Sequence, residues 1–103
     1  MKILITGGGG LLGQYLNIEL SKNSDILTLY HNNSGNCREF NNSRIDITNK
    51  QEIGKLFKDF NPEIVIHNAA VSHPKMTAQK DPKTVYRINV EATRYISELC
   101  NYY

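Results

Sequence analysis

The sequence lacks most of the features that would place this 103-residue chain outside the ordinary small globular proteins. It has no tryptophan, three prolines and two cysteines, and its formal net charge is only +2. That charge gives no reason to expect nucleic acid as a partner. No apolar run approaches the roughly 20 residues that a helix needs to cross a bilayer, and no secretory leader precedes the first apolar run. We therefore expect one cytoplasmic domain over residues 1–103 with no membrane partner, and free thiols at Cys37 and Cys100.

Short apolar runs alternate with helical patterns along the chain, which is typical of repeated βα units around a parallel sheet. The predicted strands span 3–5, 26–30, 44–47 and 63–67, and the predicted helices span 11–22, about 48–60 and the segment from 81 onward. Residues 31–44 are polar, show no periodicity and are predicted to form a loop. The fold class is therefore α/β, a Rossmann-type doubly wound parallel sheet of about four strands in the order 3-2-1-4.

Two helix starts have recognisable signals. Thr48 and Gln51 have the spacing of a capping box, in which a hydroxyl and an amide side chain satisfy the first free N–H groups of a helix. Asp81-Pro82 combines a favoured N-cap residue with proline at the first helical position. Asn61-Pro62 is predicted to end the second helix.

The glycine loop between the first strand and the first helix carries the strongest functional signal. It reads Thr6-Gly7-Gly8-Gly9-Gly10-Leu11-Leu12-Gly13. Free N–H groups at a helix N-terminus attract a pyrophosphate, which approaches closely only where no Cβ stands in the way. Two registers fit, namely Gly8-x-Gly10-x-x-Gly13 and Thr6-Gly7-x-x-Gly10-x-x-Gly13. A P-loop is excluded, because Gln14 stands where that motif requires lysine.

Four motifs together resemble the extended short-chain dehydrogenase/reductases of the NAD-dependent epimerase/dehydratase superfamily. They are Thr6-Gly7-x-x-Gly10-x-x-Gly13, Asp46-Ile47-Thr48, Asn68-Ala69-Ala70 and Tyr86-x-x-Asn89-Val90. Within that family the chain is most similar to the N-terminal portion of the dTDP-4-dehydrorhamnose reductase-like branch, which also includes non-catalytic regulatory relatives.

The resemblance implies a set of cofactor-binding positions. Residues of the glycine loop would hold the pyrophosphate, a second pair would contact the adenine, and a third group would line the nicotinamide-ribose side. These sets are, in that order, Gly10, Leu11 and Leu12; Asp46 and Ile47; and Ala69, Ala70 and Val71. Gly7 and Gly13 are the other cofactor-binding positions of the glycine loop. Gly13 is also expected to let the first helix pack close to the first strand.

Three polar side chains admit both a structural and a functional interpretation. Asn89 falls on the apolar face of the last helix, so it is predicted either to tie that helix to the loop after the fourth strand or to join the active-site hydrogen-bond network. For His67 a hydrogen-bonded structural role is favoured. His73 lies in a loop near the expected substrate, where a binding role is plausible.

The choice of nicotinamide cofactor depends on the residues about 20 positions beyond the glycines, where NAD-specific sites usually carry a carboxylate. This chain has Tyr30-His31-Asn32-Asn33-Ser34 there. Without an acid to repel it, a 2′-phosphate could be accepted by His31, Asn32 or Ser34, with Arg38 nearby. The sequence therefore favours NADP (NADPH) over NAD.

The chain lacks the family's catalytic Tyr-x-x-x-Lys, because none of its tyrosines has lysine four residues later. The acidic cluster that rhamnose-type reductases carry after Asn-Ala-Ala is also absent from 71–79, and no spacing suggests a metal site. We assign no catalytic residue and leave open whether the chain is an enzyme. The leading hypothesis is the NAD(P)-binding portion of a nucleotide-sugar oxidoreductase, catalytically incomplete and truncated; the alternatives are a non-catalytic regulatory module or pseudo-enzyme and an inert remnant. An uncovered fourth-strand edge predicts a homo-oligomer.

Overall fold

The computed structural model describes residues 1–69 and 81–102, which form a four-stranded parallel sheet with helices on both faces. The strands are β1 (Lys2–Thr6), β2 (Asp25–Tyr30), β3 (Asn42–Arg44) and β4 (Ile64–His67). The helices are α1 (Leu11–Ser21), α2 (Lys50–Phe60), α3 (Pro82–Tyr86) and α4 (Ala92–Tyr102). A single 3-10 turn lies at Cys37–Glu39, and a π-helical turn at Arg87–Glu91 joins α3 to α4. The predicted α/β class is confirmed.

The strand order is β3-β2-β1-β4, as predicted. All three pairings are parallel, with Ile3 of β1 opposite both Ile26 of β2 and Ile64 of β4. Parallel strands end at the same edge of the sheet, and open α/β sheets bind their ligands beyond that edge. Thr6, Tyr30 and His67 end their strands there.

The two faces of the sheet are covered by different helices, which is the doubly wound arrangement. One face carries the larger apolar cluster, built with α2 and α4: Leu4, Leu27, Leu29, Ile45, Ile47, Ile53, Phe57, Ala92, Ile96 and Leu99. The other face carries Ile3, Ile5 and Ile26 beneath Leu16 and Leu20 of α1. Because side chains alternate between two covered faces, β1 is apolar at every inner position, and its continuous apolar run follows from this burial.

The third strand lies earlier than predicted. The pattern Arg44-Ile45-Asp46-Ile47 indicates a strand over 44–47, but β3 is Asn42–Arg44. The amide of Ile45 still donates to the carbonyl of Tyr30 at 2.8 Å, and the chain then turns, with the Asn49 amide bonded to the Asp46 carbonyl at 2.9 Å. Ile45 and Ile47 are buried in the larger cluster. Their alternation reflects core packing at a strand end and not continued strand pairing.

The predicted capping box at Thr48 and Gln51 is wrong by one residue. The N-cap of α2 is Asn49, whose side chain accepts from the Glu52 amide at 3.2 Å. The Thr48 hydroxyl instead donates to the Asp46 carboxylate at 2.7 Å. Asn and Thr are both good caps, and the earlier turn decides between them by fixing where the helix begins.

The other helix boundaries agree with the sequence. α2 ends where predicted, with Asn61 in the left-handed region at φ 52° just before Pro62. The Asp81 side chain accepts from the Thr84 amide at 2.9 Å, with Pro82 at the first helical position. Among the described residues no helix has both the length and the apolar character needed to cross a membrane.

Candidate dinucleotide-binding site

The glycine loop links the end of β1 to the start of α1. Gly7 has a positive φ of 64°, and the Gly8 amide donates to the Leu29 carbonyl at 2.8 Å, which ties the loop to β2. The Gly10 amide closes a tight turn onto the Gly7 carbonyl at 3.2 Å. The first bond of α1 runs from the Gln14 amide to the Gly10 carbonyl at 2.9 Å. The loop is thus fixed on both sides before any ligand is considered.

Four of the five glycines in the loop are required by the protein itself. A Cβ on Gly8 would clash with the Thr28 side chain and one on Gly9 with the Asn33 carbonyl, and the same is true at Gly7 and Gly13. A Cβ on Gly7 would lie 2.7 Å from the Ala69 amide nitrogen, besides the strain of the positive φ. A Cβ on Gly13 would lie 2.7 Å from the Cα of Gly8, because α1 packs directly on the loop. The expectation that Gly13 permits close packing is met, but the neighbour is the glycine loop and not β1 itself.

Gly10 is different, because nothing in the described protein requires it to be glycine. Its φ of −74° and ψ of 176° suit any residue, and a Cβ there would have its nearest neighbour, the Gly7 carbonyl oxygen, at 3.4 Å. Gly10 is exposed at the N-cap position of α1. The space that a Cβ would fill therefore lies open at the helix N-terminus, as a pyrophosphate cradle requires.

The N-terminus of α1 presents amide donors that no described side chain caps. The first turn of this helix contains no acid. Because the first intrahelical bond starts at Gln14, the amides of Leu11, Leu12 and Gly13 precede the hydrogen-bonded ladder. Leu11 is 91% exposed, so its side chain does not cover this end. Free N–H groups and the positive end of the helix dipole favour a bound anion here.

The end of β4 forms the second wall of this site. The Thr6 hydroxyl accepts from the amides of Asn68 and Ala69 at 3.0 and 3.1 Å, which holds both residues against the glycine loop. Asn68 carries a buried side-chain nitrogen with no hydrogen-bond partner among the described residues. Ala69 is half-buried against the larger cluster. The predicted positions Ala70 and Val71, and also His73, lie outside the described residues.

Asp46 is exposed just beyond β3, and its carboxylate is held in place by Thr48. One carboxylate oxygen accepts from both the amide and the hydroxyl of Thr48, at 2.9 and 2.7 Å. Partial burial acts to raise the pKa of Asp46, but the two Thr48 bonds and the charges of His31 and Arg87 outweigh it and lower the pKa. The carboxylate is therefore charged at neutral pH. The Ile47 side chain is buried in the core, so only its backbone is placed to meet a ligand.

The polar segment after β2 lies along the glycine loop. The Asn33 and Gln14 side-chain amides both donate to the Gly9 carbonyl, at 3.3 and 3.2 Å. The Asn36 amide donates to the Gln14 carbonyl at 3.0 Å. His31 and Asn32, at the start of this segment, are exposed. A side-chain hydrogen bond with Tyr30 raises the pKa of Arg38. Because Tyr30 ends β2, the Arg38 guanidinium lies near the end of that strand.

Sequence reasoning missed Asn17, which is fully buried within α1. Its side-chain nitrogen donates to the Gly8 carbonyl at 3.1 Å and to the Asn36 side chain at 2.9 Å. Asn17 therefore joins the helix, the glycine loop and the polar segment. Its position one turn from Gly13, on the packed face of α1, was the available signal, because a buried amide needs partners.

His67 and Asn89 lie where β4 meets the helical segment of α3, the π turn and α4. His67 accepts or donates at both ring nitrogens, with Nδ1 at 2.6 Å from the Thr6 hydroxyl and Nε2 at 2.9 Å from the Thr93 hydroxyl. Burial lowers the pKa of His67. Asn89 lies in the π turn, and its carbonyl accepts from the Thr93 hydroxyl at 3.0 Å. The hydrogen-bonded structural role predicted for His67 agrees with these contacts.

Cavities also lie away from the glycine loop. One of about 400 Å³ is lined by Phe57, Asn61, Pro62, Glu63, Val65 and Cys100, and one of about 380 Å³ by Pro82, Lys83, Tyr86, Arg87 and Glu91. In the parts of the chain that the structure describes, no three His, Cys, Asp or Glu residues are grouped for a metal ion.

Comparison with known proteins agrees with this geometry. Residues 3–103 match the NAD dependent epimerase/dehydratase family. A dTDP-4-dehydrorhamnose reductase from Aggregatibacter actinomycetemcomitans is 31% identical over 99 residues, which cover 94% of this chain and 30% of the relative. A dTDP-glucose 4,6-dehydratase from Salmonella typhimurium is 30% identical, covering 100% of this chain and 32% of the relative. The chain therefore spans about a third of the length of these relatives.

Solved structures show the same fold. The UDP-glucuronic acid 4-epimerase from Bacillus cereus, solved with UDP-glucuronic acid and NAD, superposes with a TM-score of 0.83 at 28% identity, over 100% of this chain and 37% of that one. The UDP-glucose 4-epimerase from Thermus thermophilus, solved with NAD, gives a TM-score of 0.86 at 24% identity, over 99% and 34%. The sheet order, the glycine loop and the family match lead to one conclusion: the chain belongs to the NAD-dependent epimerase/dehydratase family.

Proposed function

We propose that this chain is the NAD(P)-binding portion of a nucleotide-sugar oxidoreductase of the dTDP-4-dehydrorhamnose reductase type, and that the N-terminus of α1 holds the cofactor pyrophosphate. Gly10 carries the proposal. Its backbone suits any residue and its surroundings leave room for a Cβ, so a close-lying ligand is the remaining reason for glycine there. The uncapped amides of Leu11, Leu12 and Gly13 supply the donors.

The other predicted positions extend this site across the strand ends. The charged Asp46 has one oxygen engaged by Thr48, and we assign its second oxygen to the adenine amino group, beside the Ile47 backbone. Ala69, Ala70 and Val71 would line the nicotinamide-ribose side, and Asn89 would support it from the π turn. A bound nicotinamide supplies hydride transfer, while the protein binds and orients it.

NADPH is the proposed cofactor. The described residues at the end of β2 include Arg38 next to Tyr30 and the exposed side chains of His31 and Asn32, and these can meet a 2′-phosphate. A guanidinium pairs with phosphate through two parallel hydrogen bonds. Two structural neighbours were solved with NAD, so the alternative is that this chain binds NADH more tightly than NADPH.

Fluorescence titration of the 103-residue chain with NADPH and with NADH tests this choice. We expect tighter NADPH binding, and we expect Arg38→Gln to weaken NADPH binding roughly tenfold while leaving NADH binding unchanged. Tighter NADH binding by the wild-type chain would refute the NADPH assignment but keep the binding site. Failure to bind either dinucleotide would refute the proposed function.

Catalysis by these 103 residues alone is not part of the proposal. The family's general acid/base pair, Tyr-x-x-x-Lys, does not occur in the sequence, and the chain spans only 30–32% of the length of two curated relatives. We expect dinucleotide binding without NADPH oxidation in the presence of a dTDP-4-keto sugar. A dinucleotide-binding regulatory module would give the same result, so the two are separated by adding the remainder of a related reductase and assaying for restored turnover.

We further propose that the chain self-associates through β4, in a cytoplasmic setting. β4 is an edge strand of the described sheet, and Ile64 on it is 42% exposed. An uncovered apolar edge strand offers unpaired backbone groups to a second chain. The two cysteines are free thiols, with Cys37 buried and Cys100 exposed, which fits a reducing compartment.

A further inference from the structure

The hydrogen bonds around His67 fix which of its ring nitrogens carries the proton. A hydroxyl oxygen has two lone pairs and one hydrogen. The Thr6 oxygen accepts from the Asn68 amide at 3.0 Å and from the Ala69 amide at 3.1 Å, so both of its lone pairs are used. Its hydrogen is left for His67 Nδ1, which lies 2.6 Å away. Nδ1 must therefore be an unprotonated acceptor.

The other side of the ring completes the same account. A neutral imidazole with an unprotonated Nδ1 carries its proton on Nε2. Nε2 then donates to the Thr93 hydroxyl at 2.9 Å, and that hydroxyl donates to the Asn89 carbonyl at 3.0 Å. Each hydrogen bond in this network therefore has one permitted direction. The network runs from the wall of the proposed cofactor site, through His67, to the π turn.

We infer that His67 is a positioning residue for the dinucleotide site, which holds the Asn68–Ala69 wall and the π turn in register only while its ring is neutral. This inference rests on the proposed function for its ligand. Thr6 is fully buried, so its hydroxyl has no water to turn to when a neighbour changes. A Cβ on Gly7 would lie 2.7 Å from the Ala69 amide nitrogen, so a shift of this wall is transmitted directly to the glycine loop.

Protonation of His67 would disrupt this hydrogen-bond network at the Thr6 hydroxyl. An imidazolium is a donor at both nitrogens, so Nδ1 would point a hydrogen at a Thr6 oxygen whose lone pairs are already used. Thr6 could accept from the ring only by releasing the Asn68 or the Ala69 amide. The Asn68 amide also donates to the Thr6 carbonyl at 3.3 Å, so the loss falls on the Ala69 amide. The released amide belongs to the wall that faces the cofactor, and dinucleotide binding should weaken as a result.

No charged group competes for this role among the described residues. From β1 the group that faces the ring is the Thr6 hydroxyl, and from α4 it is the Thr93 hydroxyl. Burial is the cause that lowers the pKa of His67. Glu91 and Arg94, the charged residues nearest Thr93 in sequence, line a separate small cavity together with Lys50 and Glu98.

Two measurements on the full 103-residue chain test the inference, and NADH is the probe because it lacks a titrating 2′-phosphate. We expect the NADH dissociation constant to rise roughly three- to tenfold as the pH falls from about 8 to about 5, as the loss of one buried hydrogen bond implies. The midpoint should lie below the ordinary value of 6.5. His67→Asn keeps an acceptor for Thr6 that cannot titrate and should remove this pH dependence.

Leu99→Ala is the matched control, because it weakens the same core without touching a titrating group. Its NADH affinity should follow pH as the wild type does. If His67→Asn retains the wild-type pH dependence, the inference fails. If the wild type binds no dinucleotide at any pH, the proposed function fails, and the inference is then decided by the second measurement.

The second measurement is nuclear magnetic resonance of the wild-type chain without ligand, which needs neither a variant nor a cofactor. At neutral pH the ring of His67 should carry its proton on Nε2. The hydrogen-exchange protection of the Ala69 amide should fall as the ring titrates, and that of the Asn68 amide should change less, because it also donates to the Thr6 carbonyl. A proton on Nδ1, or unchanged protection of both amides across the titration, would overturn the inference.

Discussion

Replacing Gly10 by alanine should separate the stability of the glycine loop from its capacity to bind. The backbone at Gly10 suits alanine, and the new Cβ would have only the Gly7 carbonyl oxygen nearby, at 3.4 Å. Restricting the unfolded chain stabilises by about 0.4–1 kcal/mol. Alanine is a poorer N-cap than glycine by a few tenths to about 1 kcal/mol. The two effects offset, so the free energy of unfolding should change by less than about 1 kcal/mol.

NADPH binding, in contrast, should be strongly weakened by the same substitution. The added methyl group occupies the space through which a pyrophosphate reaches the amides of Leu11 and Leu12, and we expect the NADPH dissociation constant to rise at least tenfold, or about 1.4 kcal/mol. Urea unfolding followed by circular dichroism gives the stability, and fluorescence titration gives the affinity.

Gly13→Ala is the matched comparison, because there the Cβ meets protein backbone at 2.7 Å. It should cost about 1–3 kcal/mol of stability through overpacking, and any loss of binding would follow from the damaged fold. The reasoning is refuted if Gly10→Ala destabilises the chain as much as Gly13→Ala does, or if it binds NADPH as the wild type does.

Two further predictions concern other parts of the fold. Hydrogen bonds from the Thr84 amide and hydroxyl lower the pKa of Asp81 from its ordinary value of 3.8. The contribution of Asp81 to stability is therefore complete above that value and is lost as the pH falls through the lower pKa of the folded state. Asp81→Asn should lack this component in acid unfolding, and an acid profile identical to that of the wild type would contradict the prediction. Ile64→Lys should lower the light-scattering mass of the chain at high concentration, because a charge blunts the β4 edge; a wild-type chain that is already monomeric at high concentration would contradict the self-association proposal.

The sequence predicts the βα order well, because strands covered on both faces appear as continuous apolar runs and helices covered on one face show helical spacing. The continuous apolar runs of β1 and β4 and the spacing of Ile53 and Phe57 in α2 are all of this kind. β3 was misplaced for the same reason, because Ile45 and Ile47 are buried without being paired within a strand. The local hydrophobic pattern indicates which side chains are buried. It does not show where β3 ends, because the turn that begins at Asp46 determines where its pairing with β2 stops.

The candidate site divides in a similar way. The glycine loop could be predicted because its residues are contiguous and lie directly between an apolar strand and a helix. The contacts of Thr6 with His67, and of His67 with Thr93, join residues 61 and 26 positions apart, and no local pattern records them. The π turn at Arg87–Glu91 is also invisible in the sequence, because its residues continue the helical spacing on both sides.

Cys37 makes the glycine loop observable without a ligand. Its sulfur lies under the loop, where a Cβ on Gly8 would approach it to 2.9 Å, and its side chain is fully buried, whereas Cys100 is exposed. A thiol reagent added to the folded chain therefore meets two sites with different access. Cys100 serves as the internal reference, and the slower modification of Cys37 records how often the loop and the polar segment over it come apart. The rate of Cys37 modification relative to that of Cys100 therefore reports how often the proposed binding site opens.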